Sequence, residues 1–134
     1  MQEVNPSSRR VVGAQIRKEV LGANHVKASD PSNVFDSSFL EFTEDFCWGY
    51  VWNRPGLPRA VRSMLNLAML AALGRWHEFE VHVRGALNNG VTEEQIAEVL
   101  LQAGVYAGIP VAADGMRRAK AVVAAAGKAP ANGA

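Results

Sequence analysis

Apolar residues recur every three to four positions along most of the chain, which is the spacing of one face of an α-helix. A first helix carries Ile16 and Val20 and ends at Gly22. After a turn-rich segment over 25–33, a second helix carries an aromatic stripe, made of Phe35, Phe39, Phe42, Phe46 and Val51. We predict that this stripe packs into the core, because apolar residues in line on a helix usually face the interior.

Four more helices are predicted after a break at 53–56, where proline and glycine interrupt the helical pattern. The third helix begins near Pro58 and is apolar on nearly all sides, so we expect it to be buried. Three others follow: a fourth over 75–89, a fifth that starts at a capping box over 92–95, and a sixth after a break at 108–110. Since no segment alternates with period two, the sequence predicts an all-α fold of about six helices.

Length and hydrophobicity indicate one domain, because the chain has 134 residues and is 49% hydrophobic. We place this domain at residues 9–127, with a flexible N-terminus at 1–8 and a flexible tail at 128–134. The N-terminus is polar and is followed by no apolar run long enough for a signal peptide or a membrane span. The sequence therefore predicts a cytoplasmic protein.

Charge and cysteine content narrow the function classes. The net charge is +1, with acidic and basic residues interspersed, so neither nucleic acid nor a membrane surface is an expected partner. A small molecule or a protein is the expected partner. The single cysteine, Cys47, excludes an intrachain disulfide, a CxxC redox pair and a thiolate zinc cluster. No histidine and carboxylate pattern indicates a metal site either.

The candidate chemistry lies in one histidine and a group of arginines. His82 is at the border of the apolar face of its helix, so it is either an acid/base catalyst or a structural histidine. Arg54 is on a constrained corner before Pro55, and Arg62 lies on a polar stripe of the third helix, beside Ser63. A guanidinium group binds both oxygens of a carboxylate, so these arginines are candidates to bind a carboxylate ligand. The alternative is that they pair with acidic residues of the protein.

Three stretches together resemble the carboxymuconolactone decarboxylase family over residues 13–125: RKEVLGANHV, WGYVWNRPGL and RSMLNLAMLAALGRWHEFEVHVRGALNNGVTEEQIAEVLLQAGVYAGIP. The resemblance implies the all-helical alkylhydroperoxidase-like fold, assembled as a homo-oligomer, either trimer or hexamer. It also implies decarboxylation of a carboxylated muconolactone to β-ketoadipate enol-lactone and carbon dioxide, in protocatechuate catabolism and without a cofactor.

The redox branch of the same superfamily carries a CxxCxxxH helix preceded by a glutamate, and this chain lacks those groups. When His82 is matched to the histidine, Arg75 and Glu78 occupy the two cysteine positions and Ser63 occupies the glutamate position. Peroxide or disulfide chemistry by that route is therefore excluded. The histidine is retained, which favours a functional role for it.

The resemblance implies roles for particular residues. Arg54 is expected to bind the substrate carboxylate, with Arg62 as the second choice, and His82 is expected to donate the proton. Further residues are expected to bind substrate, namely Tyr50, Trp48, Trp52, Ser63 and Glu44.

Tyr50 departs from the family pattern, in which a small polar or acidic residue often follows the first WG of WGxVW. A different lactone or acid, or a rearranged pocket wall, would account for it. Two alternatives therefore stay open: a related acid/base enzyme acting on another lactone or carbonyl compound, and a non-catalytic oligomeric binding protein of the same fold.

Overall fold

The computed structural model describes residues 7–127, and every regular element in that range is helical. The elements are α1 (Ser8–Leu21), α2 (Ala23–Lys27), α3 (Val34–Phe42), a π-helix (Thr43–Val51), α4 (Arg59–Ala72), α5 (Trp76–Asn88), α6 (Glu93–Ala107) and α7 (Ile109–Gly127). The predicted all-α class is confirmed. The described part contains two more helical elements than predicted, because α2 forms at the start of the segment read as a turn and the predicted second helix divides into α3 and the π-helix.

Helix ends follow the capping signals of the sequence. The Thr92 hydroxyl accepts a hydrogen bond from the Gln95 amide, and the Gln95 side chain accepts one from the Thr92 amide. This reciprocal pair satisfies two amides that the first turn of a helix leaves open, and it confirms the predicted start of α6. At the other end of α6, Gly108 takes a φ of 117°, which favours glycine over residues with a side chain.

The described chain divides into two compact units, residues 7–57 and residues 58–127. In the C-terminal unit, α4 packs against α5 and α6, and α7 packs against α5 and α6. The core of this unit is built around fully buried Leu67, Phe79, Val83 and Leu100. Burial of each such side chain contributes about 1.5–3 kcal/mol, so this cluster is a main source of the unit's stability.

Helix α4 is buried on one side only within this chain, so its predicted burial on nearly all sides, between subunits where not within one, stays a prediction for the outer face. Ser63, Leu67 and Ala71 point into the core. Leu65, Met69 and Leu73 are exposed at four-residue spacing, in line along the outer face. The apolar character of α4 therefore serves two surfaces, of which only the inner one is covered within the unit.

In the N-terminal unit, α1 packs against the π-helix across an unusually close backbone contact. A Cβ atom on Gly13 would overlap the carbonyl oxygen of Glu44, and one on Gly49 would overlap the carbonyl oxygen of Arg9. Both positions therefore require glycine. The approach brings the buried Trp48 against α1, where it stacks on Trp52 with ring centroids 4.9 Å apart.

The aromatic stripe lies outside this core, so the prediction that it is core is wrong. The four phenylalanines are 82%, 63%, 64% and 54% exposed, in chain order from Phe35 to Phe46, and Val51 is exposed too. The physical reason is that the two tryptophans occupy the side of the π-helix facing α1. The stripe is left on another face, uncovered within the unit.

The predicted flexible termini, 1–8 and 128–134, lie outside the described residues except for Ser7 and Ser8. Ser7 is the N-cap of α1, where its side chain accepts a hydrogen bond from the Arg10 amide. None of the described helices is both long and apolar enough to cross a membrane.

Candidate active site

The nine-residue π-helix is the most unusual backbone element of the described chain. It widens the helix by bonding each amide to a carbonyl five residues back, a pattern that continues to the bond from the Trp52 amide to the Cys47 carbonyl, 3.0 Å long. Such turns are rare and occur frequently at functional sites. This element carries Trp48 and Tyr50 and leads directly into the turn at Arg54.

Tyr50 is an exposed aromatic residue of this region, and two guanidinium groups approach its ring. The Arg54 guanidinium carbon lies 5.2 Å from the ring centroid, and that of Arg9 lies 5.5 Å from it. A cation over an aromatic face is attracted by the ring quadrupole, with a free energy of about 0.5–1 kcal/mol at exposed sites. The ring of Tyr50 therefore favours one orientation of the Arg54 side chain.

Arg9 is fixed in turn by a two-pronged ion pair with Asp45. Its Nε donates to Oδ1 at 2.7 Å and its Nη2 donates to Oδ2 at 3.2 Å. The hydrogen bond from Arg9 holds the pKa of Asp45 below its usual value, and the same bond raises the pKa of Arg9. Sequence reasoning missed this pair, because the two residues are 36 positions apart and no local pattern joins them.

Glu44 is held by cations from α1. Its carboxylate lies 3.4 Å from Arg10 and 3.9 Å from Arg17. Arg17 is buried, which lowers its pKa while Glu44 acts in the opposite direction, and its Nη2 also donates to the Ser29 hydroxyl at 3.4 Å. These contacts favour a structural role for Glu44, at the junction of α1 with the π-helix.

Trp48 and Trp52, predicted to bind substrate, are both core residues of the N-terminal unit. They pack with Ile16 and Val20 of α1 and expose about one twentieth of their surface, at 5% and 6%. They pack between the π-helix and α1 and so hold the π-helix in place. The aromatic surface available on this element belongs to Tyr50 and to the phenylalanines before it.

The remaining predicted residues are in the C-terminal unit, on α4 and α5. His82 is half-buried on α5, and its Nδ1 atom is shielded from solvent. Arg62 on α4 is also half-buried, with its Nε shielded. Ser63 is fully buried, and its hydroxyl accepts a hydrogen bond from the Asn89 side chain at 2.8 Å, which favours a structural role.

Two apolar cavities open on the C-terminal unit. One, of about 440 Å³, lies between α6 and α7, and the other, of about 380 Å³, lies between α4 and α6. None of the predicted site residues lines either of them. The second, which we call the α4–α6 groove, is lined by Val61, Met64, Leu65, Ala68, Gln95, Glu98, Val99 and Gln102.

The donor groups present limit the chemistry of the described region. Within residues 7–127, no three histidine, cysteine, aspartate or glutamate side chains are grouped so as to hold a metal ion. Cys47 is half-buried, and burial raises the pKa of its thiol, so the thiolate needed for a nucleophile is disfavoured.

The structure thus brings Tyr50 and Arg54 together in the N-terminal unit, and adds Arg9 and Asp45, which sequence reasoning had not identified. In the C-terminal unit, it puts Arg62 beside Ser63 on α4 and leaves His82 half-buried on α5. The predicted roles of these residues toward a substrate stay predictions.

Comparison with known proteins identifies the family. The Carboxymuconolactone decarboxylase family matches residues 37–121. A 4-carboxymuconolactone decarboxylase from Acinetobacter baylyi is 42% identical over 128 residues, covering 95% of this chain and 96% of the relative. A nitrosuccinic acid decarboxylase from Metarhizium robertsii is 42% identical over 105 residues, covering 78% of this chain and 73% of the relative. The chain therefore belongs to the carboxymuconolactone decarboxylase family.

Proposed function

We propose that this protein is a carbon–carbon lyase that decarboxylates lactones of the 4-carboxymuconolactone type. The products are β-ketoadipate enol-lactone and carbon dioxide. The reaction is a step of protocatechuate catabolism. The observation that carries the proposal is the 42% identity, over nearly the full length of both chains, to a protein with this activity in its name.

The substrate supplies its own electron sink, so the proposed reaction needs no cofactor. The departing carboxylate is on a ring carbon that is conjugated through a double bond to the lactone carbonyl. When the carbon–carbon bond breaks, its electron pair moves into that carbonyl and gives a dienolate, which a proton then quenches at carbon. The protein has to bind a dianion, stabilise the dienolate and deliver the proton.

Arg54 is the proposed carboxylate ligand, and Tyr50 is its support. A guanidinium presents paired donors that match both oxygens of a carboxylate. The Arg54 guanidinium carbon lies 5.2 Å from the centroid of the Tyr50 ring, and this stacking limits the orientations that the Arg54 side chain can take. Less side-chain entropy is therefore lost when Arg54 binds the substrate carboxylate. The hydroxyl of Tyr50 is in addition a candidate donor to the lactone oxygen.

His82 is the proposed proton donor. A histidine changes charge near neutral pH, and general acid catalysis contributes about 10²–10⁴ in rate. Its half-buried position on α5 is compatible with proton transfer to a substrate that excludes water.

The other residues predicted to bind substrate have supporting roles in this proposal. Arg62 is the candidate ligand of the second carboxylate. Trp48 and Trp52 hold the π-helix on α1, while Glu44 and Ser63 hold their neighbours through the ion pairs and the hydrogen bond described above.

The test is decarboxylation of carboxymuconolactone by the purified protein, followed as release of carbon dioxide. We expect wild type to turn over and His82→Ala to lose at least about 100-fold in kcat. His77→Ala is the matched control, because His77 is an exposed histidine on the same helix and is expected to leave the rate unchanged. Absence of turnover in wild type, or full turnover in His82→Ala, would contradict the proposal.

A second substrate class deserves the same assay because of Tyr50 and the nitrosuccinic acid decarboxylase relative. Loss of a carboxylate from a carbon that bears a nitro group leaves a nitronate, which is also stabilised without a cofactor. Turnover of nitrosuccinate, but not of the lactone, would favour a related acid/base enzyme. Turnover of neither would favour a non-catalytic oligomeric binding protein.

The proposed setting is the cytoplasm, with a small carboxylated lactone as the ligand and a homo-oligomer, trimer or hexamer, as the working form. Neither nucleic acid nor a membrane is a proposed partner. Support comes from the near-neutral charge, the single cysteine and the exposed apolar surfaces of both units.

A further inference from the structure

A continuous row of exposed aromatic rings runs along α3 and the π-helix. We call it the aromatic ridge, and it consists of Phe35, Phe39, Phe42, Phe46 and Tyr50. The rings of Phe42 and Phe46 lie 6.0 Å apart at an interplanar angle of 16°, and those of Phe46 and Tyr50 lie 6.0 Å apart at 15°. The end of the ridge is therefore pre-ordered by stacking, which reduces the side-chain entropy lost on binding a partner.

The ridge is as large as the largest apolar patches on typical monomers, and such patches are often functional. An aromatic side chain buries roughly 150–250 Å², so the four phenylalanines at their observed exposures present roughly 400–600 Å² of apolar area. The largest apolar patch on a typical monomer is about 300–600 Å², and a stable interface buries about 800 Å² on each partner. With exposed Val34 and Val51 added, the ridge approaches the area of a stable interface.

The same chain carries a second uncovered apolar surface. The α4–α6 groove holds about 380 Å³ and is lined by four apolar side chains of α4 and, on α6, by Val99 together with polar Gln95, Glu98 and Gln102. Beside it, Leu65, Met69 and Leu73 continue the apolar surface along α4. An amphipathic helix that lays its apolar face into a hydrophobic groove is a recurrent mode of recognition.

We propose that the aromatic ridge of one copy packs into the α4–α6 groove of a second copy. Each chain then covers the exposed apolar surface of another, in a head-to-tail contact that closes into a ring when the rotation allows. A second copy fits better than an anionic membrane, because Asp36 and Glu41 add negative charge beside the phenylalanines of the ridge, while Asp45 is paired with Arg9. The net charge of +1 also means that copies do not repel each other strongly.

This inference bears on the site as well, and in that respect it rests on the proposed function. Tyr50 is the last ring of the ridge, and Arg54 stacks on that ring. A second copy seated on the ridge shields Tyr50 and Arg54 from bulk water, which strengthens the attraction between the guanidinium and a substrate carboxylate. Activity per subunit is therefore expected to depend on assembly.

Sedimentation of the full chain tests the contact. We expect wild type to associate, and Phe42→Glu to raise the concentration at half-association at least about tenfold, the effect of 1.4 kcal/mol. Val11→Glu is the matched control, since it puts the same charge on another exposed apolar position of the same unit and is expected to associate like wild type. A wild type that stays monomeric, or equal weakening by both substitutions, would overturn the proposal.

Cross-linking tests the specific pairing of surfaces. In a Cys47→Ser background, Phe42→Cys with Leu65→Cys is expected to form a disulfide between subunits under oxidation, seen as a ladder on a non-reducing gel. Phe42→Cys with Val11→Cys is the control pair and is expected to give no such ladder. A ladder from the control alone would contradict the groove as the receiving surface, and circular dichroism of each variant verifies that it is folded.

Failure of the proposed assembly and failure of the proposed function give different results. Carbon dioxide release that is independent of protein concentration, from a monomer, would defeat this inference and leave the proposed function standing. Association through the ridge without decarboxylation would support this inference and contradict the proposed function. If both hold, the specific activity of wild type falls on dilution in step with dissociation, and Phe42→Glu loses activity at concentrations where wild type is assembled.

Discussion

The two units of this chain are stabilised in different ways. The C-terminal unit consists of regular α-helices around a dense aliphatic and aromatic core, with helix ends set by local capping groups. The N-terminal unit depends on a stacked tryptophan pair, a backbone contact at two glycines and ion pairs from α1 to the π-helix. The first kind of order is encoded locally, whereas the second depends on contacts far apart in the sequence.

The largest expected effect comes from placing a methyl group at the glycine contact of the N-terminal unit. In Gly13→Ala, the new Cβ would overlap the backbone carbonyl of Glu44, which has no rotamer by which to move away. We expect a loss of at least about 3 kcal/mol in the free energy of unfolding, the upper end for overpacking, measured by denaturant titration.

Two other glycines give a graded comparison. In Gly115→Ala, in the C-terminal unit, the new Cβ would meet the end of the Leu100 side chain, which can rotate, so we expect a loss of about 1–2 kcal/mol. In Gly56→Ala the new Cβ meets nothing within 4 Å, and we expect a change within about 0.5 kcal/mol. Equal losses for Gly13→Ala and Gly115→Ala would mean that the close backbone contact is not what distinguishes the N-terminal unit.

A smaller effect is expected at Tyr50, where the ring and the hydroxyl have separable roles. Tyr50→Phe keeps an aromatic face under Arg54, whereas Tyr50→Leu removes it. If stacking orients Arg54, the leucine variant raises KM about 3- to 30-fold, since a cation–π contact is worth roughly 0.5–2 kcal/mol, and the phenylalanine variant stays within about threefold of wild type.

Steady-state kinetics on the lactone distinguishes this role from hydrogen bonding to the lactone oxygen. A hydroxyl that stabilises the dienolate would make Tyr50→Phe lose kcat with little change in KM. That result would move Tyr50 from positioning Arg54 to contacting the substrate. Arg84→Gln, at an exposed position on α5, serves as a general control for removal of an arginine.

The sequence predicts the C-terminal unit better than the N-terminal unit, because helix ends depend on local signals and the N-terminal contacts do not. Gly22, the capping box at Thr92 and the break at Gly108 all lie at predicted helix ends, because each signal acts within one turn of the backbone. The π-helix has no comparable local signature. Helical periodicity therefore placed the phenylalanines in the core, a position that the tryptophan pair occupies.

The candidate site shows the same limit. The composition and the family resemblance identify Arg54, Tyr50 and His82, since these residues stand out by type and motif. They cannot identify Arg9 and Asp45 as the support of Tyr50, because that pairing exists only once α1 lies on the π-helix. Nor does the sequence reveal that Ser63 is engaged by Asn89, 26 positions away.

The smallest expected effect concerns the exposed Arg9–Asp45 pair, whose contribution to stability depends on pH. Hydrogen bonding to Arg9 holds the pKa of Asp45 below 3.8 in the folded chain. The pair therefore stabilises the fold above the unfolded value, and this contribution is lost as the pH falls through the lower folded pKa, below about pH 4. Asp45→Asn should accordingly be less stable than wild type near neutral pH and converge with it in acid, as measured by melting temperature between about pH 7 and pH 2. Arg9→Ala should follow the same course, and the double variant should lose less than the sum of the two single losses, because both substitutions remove the Arg9–Asp45 interaction. If the melting temperatures of the variants stay parallel to those of wild type down to about pH 2, the Arg9–Asp45 pair does not stabilise the junction of α1 with the π-helix, which the glycine contact, the tryptophans and the Glu44 ion pairs then hold.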